Sequence, residues 1–131
     1  MAEKFTDFEY NVIQKLLAGD CEAYRIVLFQ IGQAIVSRTY TGAGFFLEFD
    51  VPSHVPTSEP KTFRVGDVHG DISGLEFGAG FILFVENGVV QQLEGFSYEE
   101  PWPDSIDDYQ LRYTKEPREF PPSSTLGRTN G

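Results

Sequence analysis

Between Arg64 and Arg112 the chain has neither lysine nor arginine. The same interval holds ten carboxylates: Asp67, Asp71, Glu76, Glu86, Glu94, Glu99, Glu100, Asp104, Asp107 and Asp108. Its charge therefore equals the −10 of the whole chain, where twenty acids stand against ten bases. Such a segment repels phosphate backbones, so direct nucleic-acid binding is not expected. A basic protein partner would be attracted to it.

Cysteine is nearly absent. Cys21 stands alone, so the chain closes no disulfide on itself, which fits the expected cytoplasmic location. Placed just inside a predicted helix, it reads as a small core residue rather than a nucleophile. Long apolar runs are missing too. The longest is Phe81–Val85, far short of the ~20 residues of a membrane helix, and the start Met1-Ala2-Glu3-Lys4 lacks an apolar signal core. A soluble protein without a membrane partner is expected. No G-x-S-x-G elbow, phosphate-binding Gly-rich loop or calcium-loop spacing occurs, and no cofactor is implied.

What is present organises itself by period. Thr6-Asp7-Phe8-Glu9 is a capping box with Phe5 at the hydrophobic-staple position. Phe8, Val12, Ile13, Leu16 and Leu17 recur at helical spacing, predicting a helix over about 7–18 that ends on Gly19. Asp20 is the expected cap of a second helix, with Ala23, Tyr24, Val27, Leu28 and Ile31 on its apolar face and Gly32 at its end. The tight junction predicts an αα-hairpin.

From Ala34 the period is two. Strands are predicted over 34–40, 45–51, 62–68, 80–86 and 89–96, with Asn87-Gly88 as a hairpin turn and 109–114 as a short edge strand. The pattern predicts an α+β fold: an N-terminal αα-hairpin packed on an antiparallel sheet of about five to six strands. Residues 1–114 form the expected single domain, and the Pro/Ser/Gly-rich stretch 115–131 an expected flexible tail, dispensable for folding. Gly42-Ala43-Gly44-Phe45 and Gly78-Ala79-Gly80-Phe81 echo each other, and both read as a glycine turn feeding an aromatic strand.

Gly66-Asp67-Val68-His69-Gly70-Asp71 resembles the first block of metallophosphatases, whose metal-binding Asp and His would correspond to Asp67 and His69. Their two-metal chemistry needs further ligands from later loops, including an Asn-His-Glu block. None follows here, since His69 is the last histidine and His54 lies upstream. A mononuclear site stays open on sequence grounds. On a regular strand Asp67, His69 and Asp71 face one side, and His54 could join them. The alternative is a bulged strand ending in an Asp-rich turn.

The segment 93–109 carries Phe96, Tyr98, Trp102 and Tyr109 among five of the carboxylates after Glu94: Glu99, Glu100, Asp104, Asp107 and Asp108. Aromatic anchors within a charged rim suit a protein-binding patch. The expected partner-binding residues are Tyr98, Glu99, Glu100, Trp102, Asp104, Asp107 and Asp108. Trp102, set between Pro101 and Pro103, could instead close one end of the core.

Gly78-Ala79-Gly80-Phe81-Ile82-Leu83-Phe84, Asn87-Gly88, Leu93-Glu94-Gly95-Phe96-Ser97-Tyr98 and Trp102-Pro103 resemble a family of small single-domain bacterial proteins of uncharacterised function. The resemblance implies a compact bacterial protein and no particular reaction. By composition alone the chain is also similar to immunity proteins that neutralise secreted toxins. The expectation is thus a non-enzymatic binding protein, an inhibitor or immunity protein for a basic partner. The alternatives are a small metal-dependent hydrolase centred on Asp67 and His69, and a structural subunit of a bacterial assembly using the sheet face.

Overall fold

The computed structural model describes residues 4–118. Two helices, α1 (Asp7–Leu16) and α2 (Glu22–Gln33), precede six strands. The strands are β1 (Ile35–Tyr40), β2 (Gly44–Asp50), β3 (Phe63–Ile72), β4 (Ala79–Glu86), β5 (Val89–Ser97) and β6 (Tyr109–Tyr113). They form one antiparallel sheet in the order β1-β2-β5-β4-β3-β6, with the helical hairpin on one face. The fold is α+β, as the two periodicities predict.

The core lies between that sheet face and the apolar stripes of the helices. Leu47, Leu93 and Leu83 form one cross-strand row on β2, β5 and β4, all fully buried beneath the helices with Val12, Leu16 and Val27. Truncating any of these leucines to alanine would cost about 2–5 kcal/mol, because close-packed surroundings relax only partly into the gap. The opposite face is open and carries Phe46, Ile82, Phe84 and Phe96, half-buried among polar neighbours such as Gln92 and Glu94.

The Thr6/Glu9 box forms as predicted, with Glu9 N donating to Thr6 Oγ1 at 3.1 Å and Thr6 N to Glu9 Oε1 at 3.0 Å. Glu9 is itself buried, and Arg38 of β1 donates to both its oxygens at 2.5 and 2.6 Å. The same carboxylate thus caps α1 and fastens it to the sheet. The Phe5 ring meets Phe49, with centroids 6.4 Å apart.

The second helix departs from expectation at both ends. Its N-cap is Cys21, which makes no side-chain cap bond, while the exposed Asp20 carboxylate pairs with Arg25 at 3.0 Å. It runs through Gly32 to Gln33. The first helix stops at Leu16, and Gly19 takes up a left-handed φ of 112° beyond its Leu17 cap. Both helix C-termini leave carbonyls that a cation can cap. Lys4 Nζ donates to Ile31 O and Gly32 O of α2, and Arg118 donates to Leu16 O at the end of α1 and to Ala18 O just beyond it.

The strand registers define two ends of the sheet. One holds the 51–62 loop and the Asn87–Gly88 turn. There Gln30, wholly buried on α2, donates to Pro56 O and Gly88 O at 2.8 Å and accepts from Val90 N at 2.9 Å. The other end gathers residues 41–43, 73–78 and 98–108, and is called the loop end below.

Candidate functional site

The metallophosphatase-like stretch lies inside β3, not in a metal-binding loop. Val65 and Val68 are both buried, which residues three apart in a regular strand cannot achieve, and the register with β4 shifts between them. This bulge corrects the expectation that Asp67, His69 and Asp71 share one side. Asp67 points to Arg118, which binds both its oxygens at 2.7 and 3.1 Å. His69 and Asp71 lie beyond the phase change and meet each other, with Nε2 3.3 Å from Oδ1. Asp71 also accepts from Arg112 at 3.0 Å, and that bond chiefly holds its carboxyl below the usual carboxylate range. His54 is exposed in the 51–62 loop. Among the described residues, no three His, Cys, Asp or Glu side chains are grouped to hold a metal ion.

Arg118 is a residue that sequence reasoning missed, because it falls in the expected tail. Its side chain is only 8% exposed. Every guanidinium nitrogen is engaged, by Asp67, Leu16 O, Ala18 O or the Tyr113 hydroxyl, and the charge sits 4.1 Å from the Tyr113 ring centre. Burial works against its charge, but the Asp67 bond and field outweigh that and hold its pKa above the ordinary value. The packed unit therefore reaches Arg118, past the expected boundary at Thr114. The rest of the expected tail lies outside the described residues.

The loop end carries the expected partner-binding residues. Backbone bonds knit its segments together: Ser97 N donates to Ala43 O, Trp102 N to Gly42 O and Ser73 N to Asp108 O. Ser97 Oγ lies within hydrogen-bond reach of the carbonyls of Ala43 and Glu100, between which its single O–H is shared. The Glu100 carboxylate accepts from the amides of Glu76 and Phe77 at 2.9 and 3.0 Å. This clamp ties the β3–β4 loop to the chain leaving β5. Between them Glu99 takes a φ of 67°, a left-handed conformation that costs a residue with a Cβ about 1–2 kcal/mol.

The echoed Gly-Ala-Gly-Phe segments meet here. Gly44 of the first and Gly80 of the second flank Phe96 across the sheet. A Cβ on Gly80 would stand 2.6 Å from the Phe96 ring and 2.9 Å from the Tyr98 hydroxyl. Only a glycine lets this aromatic pair, with centroids 5.6 Å apart, lie down on the sheet. Tyr98 remains 44% exposed and Phe77 60%. Phe77 was not singled out by sequence; an aromatic residue within the glycine-flanked Gly74–Gly78 turn was the available signal.

Of the two readings open for Trp102, an anchor of the patch or a closure of one end of the core, its position matches the second. Its ring packs edge-on against Phe45 at 5.5 Å and joins the margin of the core. Asp107 accepts from Ser105 Oγ. Among the described residues, Glu76, Glu99, Glu100, Asp104, Asp107 and Asp108 have no ion-paired lysine or arginine, whereas Asp67 and Asp71 do. No protein-family model matches the chain, and no match is found among curated proteins or solved structures.

Proposed function

We propose that the chain is a non-enzymatic binding protein of the bacterial cytoplasm whose acidic loop end docks on a basic protein. An inhibitor or immunity protein is the class this fits. The observation that carries the reading is the set of six loop-end carboxylates without a cationic partner among the described residues, at the same end of the sheet as exposed Phe77 and Tyr98. A one-signed field speeds encounter with a positive surface, and exposed aromatics supply desolvated contact once the surfaces meet. In this reading Tyr98, already among the expected partner-binding residues, anchors the contact together with Phe77, and Trp102 belongs to the core margin.

The test is capture of the partner from the native organism, followed by kinetics at low and high salt. Glu76→Lys and Glu99→Lys should slow association and flatten its salt dependence, while Tyr98→Ala should mainly speed dissociation. An association rate indifferent to salt and to both reversals would overturn the reading. A second reading, a subunit of a larger assembly, draws on the apolar residues of the open sheet face. A solution mass above that of the 14.7 kDa chain, restored to the monomer by Ile82→Lys, would favour it.

A further inference from the structure

We infer that the cleft between the start of α1 and the 102–106 segment receives one arginine side chain of the partner. The proposal rests on the reading of the loop end as a docking surface, and names the chemistry of one contact. The cleft has a volume of about 240 Å³. Phe8 and Phe45 line it as buried core residues, Tyr40 and Trp102 add aromatic surface, and Asp7 and Asp104 are the acidic residues of its lining besides Glu9. That volume falls below the roughly 300–1,000 Å³ of small-molecule sites, so a side chain fits it better than a whole metabolite.

The electrostatics select a cation. Neither Asp7 nor Asp104 is ion-paired with a lysine or arginine among the described residues. The α1 N-terminus contributes roughly half a positive charge, which two carboxylates exceed. Thr6 and Glu9, which also line the cleft, are spent on each other in the capping box, and Glu9 further on Arg38. Tyr40 is 64% exposed, and with Trp102 it offers aromatic surface on which a planar guanidinium can stack while its N–H groups meet carboxylates. An ammonium is a compact, strongly hydrated charge and gains less from such walls, so arginine is favoured over lysine.

Trp102 is the only tryptophan, so its fluorescence reports on the cleft directly. The probes are N-acetyl-arginine amide, N-acetyl-lysine amide and the uncharged N-acetyl-citrulline amide, titrated into the full chain. A saturable change with the arginine compound, weaker with lysine and absent with citrulline, is expected. Asp104→Asn combined with Asp7→Asn should weaken it roughly tenfold, as for the loss of two exposed ion pairs. Asp104→Asn alone, which leaves the helix untouched, should weaken it in the same direction. No saturable change, an equal response to citrulline, or indifference to Asp104→Asn would overturn the proposal. Glu76→Lys and Glu99→Lys, which lie outside the cleft, keep the two ideas apart. If they slow partner association but arginine leaves Trp102 unmoved, the cleft proposal falls alone. If arginine binds and association ignores those reversals, the docking reading falls instead.

Discussion

Asp67 and Glu99 sit at opposite extremes of how this fold treats a carboxylate. Asp67, at the β3 bulge, is gripped by a guanidinium that also caps α1 and stacks on Tyr113. Glu99, at the loop end, has no cationic partner among the described residues and occupies a backbone conformation that its side chain disfavours. Where charge is drawn into the fold it is matched for charge and hydrogen bonds; Glu9 with Arg38 repeats the rule. Of the carboxylates left without an ion pair among the described residues, six lie at the loop end, Glu76, Glu99, Glu100, Asp104, Asp107 and Asp108, while others such as Glu48, Asp50 and Glu86 lie on β2 and β4. The difference separates carboxylates that the fold requires from those it merely tolerates, and the latter are the ones available to a partner.

The sharpest way to break this comparison is to remove Arg118. Arg118→Met should lower stability by about 3 kcal/mol, because Asp67 and the carbonyls of Leu16 and Ala18 lose their donor in a largely buried place. Asp67 is partly exposed, which keeps the cost at the low end of the range for broken buried pairs. Urea unfolding measures it, and a double-mutant cycle with Asp67→Asn isolates the coupling. Truncation after Thr114 removes the same anchor and should destabilise comparably, contrary to the expectation that everything from Lys115 onward is dispensable. A cost below ~0.5 kcal/mol in both would show that the pair contributes little and erase the contrast.

Gln30→Leu comes next, at about 2 kcal/mol. The substitution keeps the volume but strands the buried Val90 amide and takes a donor from the Pro56 carbonyl, whose bond is half-buried, and an orphaned buried polar group costs about 1–3 kcal/mol. A thermal melt compared with Gln30→Glu would check that the loss follows the hydrogen bonds. A third effect is smaller. Thr6→Ala should cost about 1 kcal/mol, because the Glu9 amide loses its cap while the reciprocal bond from Thr6 N survives. A change within ~0.3 kcal/mol in melts would mean that Arg38, not the cap, holds the start of α1.

These effects also mark what the sequence could disclose. Strand and helix periods come from burial on one face, so the element order, the Asn87–Gly88 hairpin and the capping box are legible in neighbouring residues. The β3 bulge was suggested by glycine spacing, but its phase shift is read only against β4, and the partner of Asp67 at it, Arg118, lies about fifty positions downstream. No local pattern reveals that a guanidinium will return to Asp67. Gln30 likewise looks like a polar residue on a helix until Pro56 and Val90 close around it. At the loop end the acidic composition was readable and the closing of the core by Trp102 was one of two readings left open, while the exposure of Phe77 was not foreseen. Which aromatic is covered depends on Phe45 across the sheet and on the Glu100 clamp.

The finest test replaces Glu99 by glycine. Glycine adopts a φ of 67° without the Cβ clash, so Glu99→Gly should keep stability or raise it by up to about 1 kcal/mol, measured as a higher urea midpoint at unchanged slope. The extra freedom of glycine in the unfolded chain works against this gain and keeps it small. The same change removes a carboxylate from the loop end, so association with a basic partner should slow while dissociation, governed by Tyr98 and Phe77, changes little. Glu99→Asn separates the two effects, because asparagine tolerates the left-handed region better than most residues with a Cβ and also lacks the charge. If both variants are more stable and both associate more slowly, the strained carboxylate is kept for its charge at the surface. If Glu99→Gly destabilises the fold, Glu99 belongs with Asp67 among the carboxylates the fold requires, and the division between the two regions fails at its most telling residue.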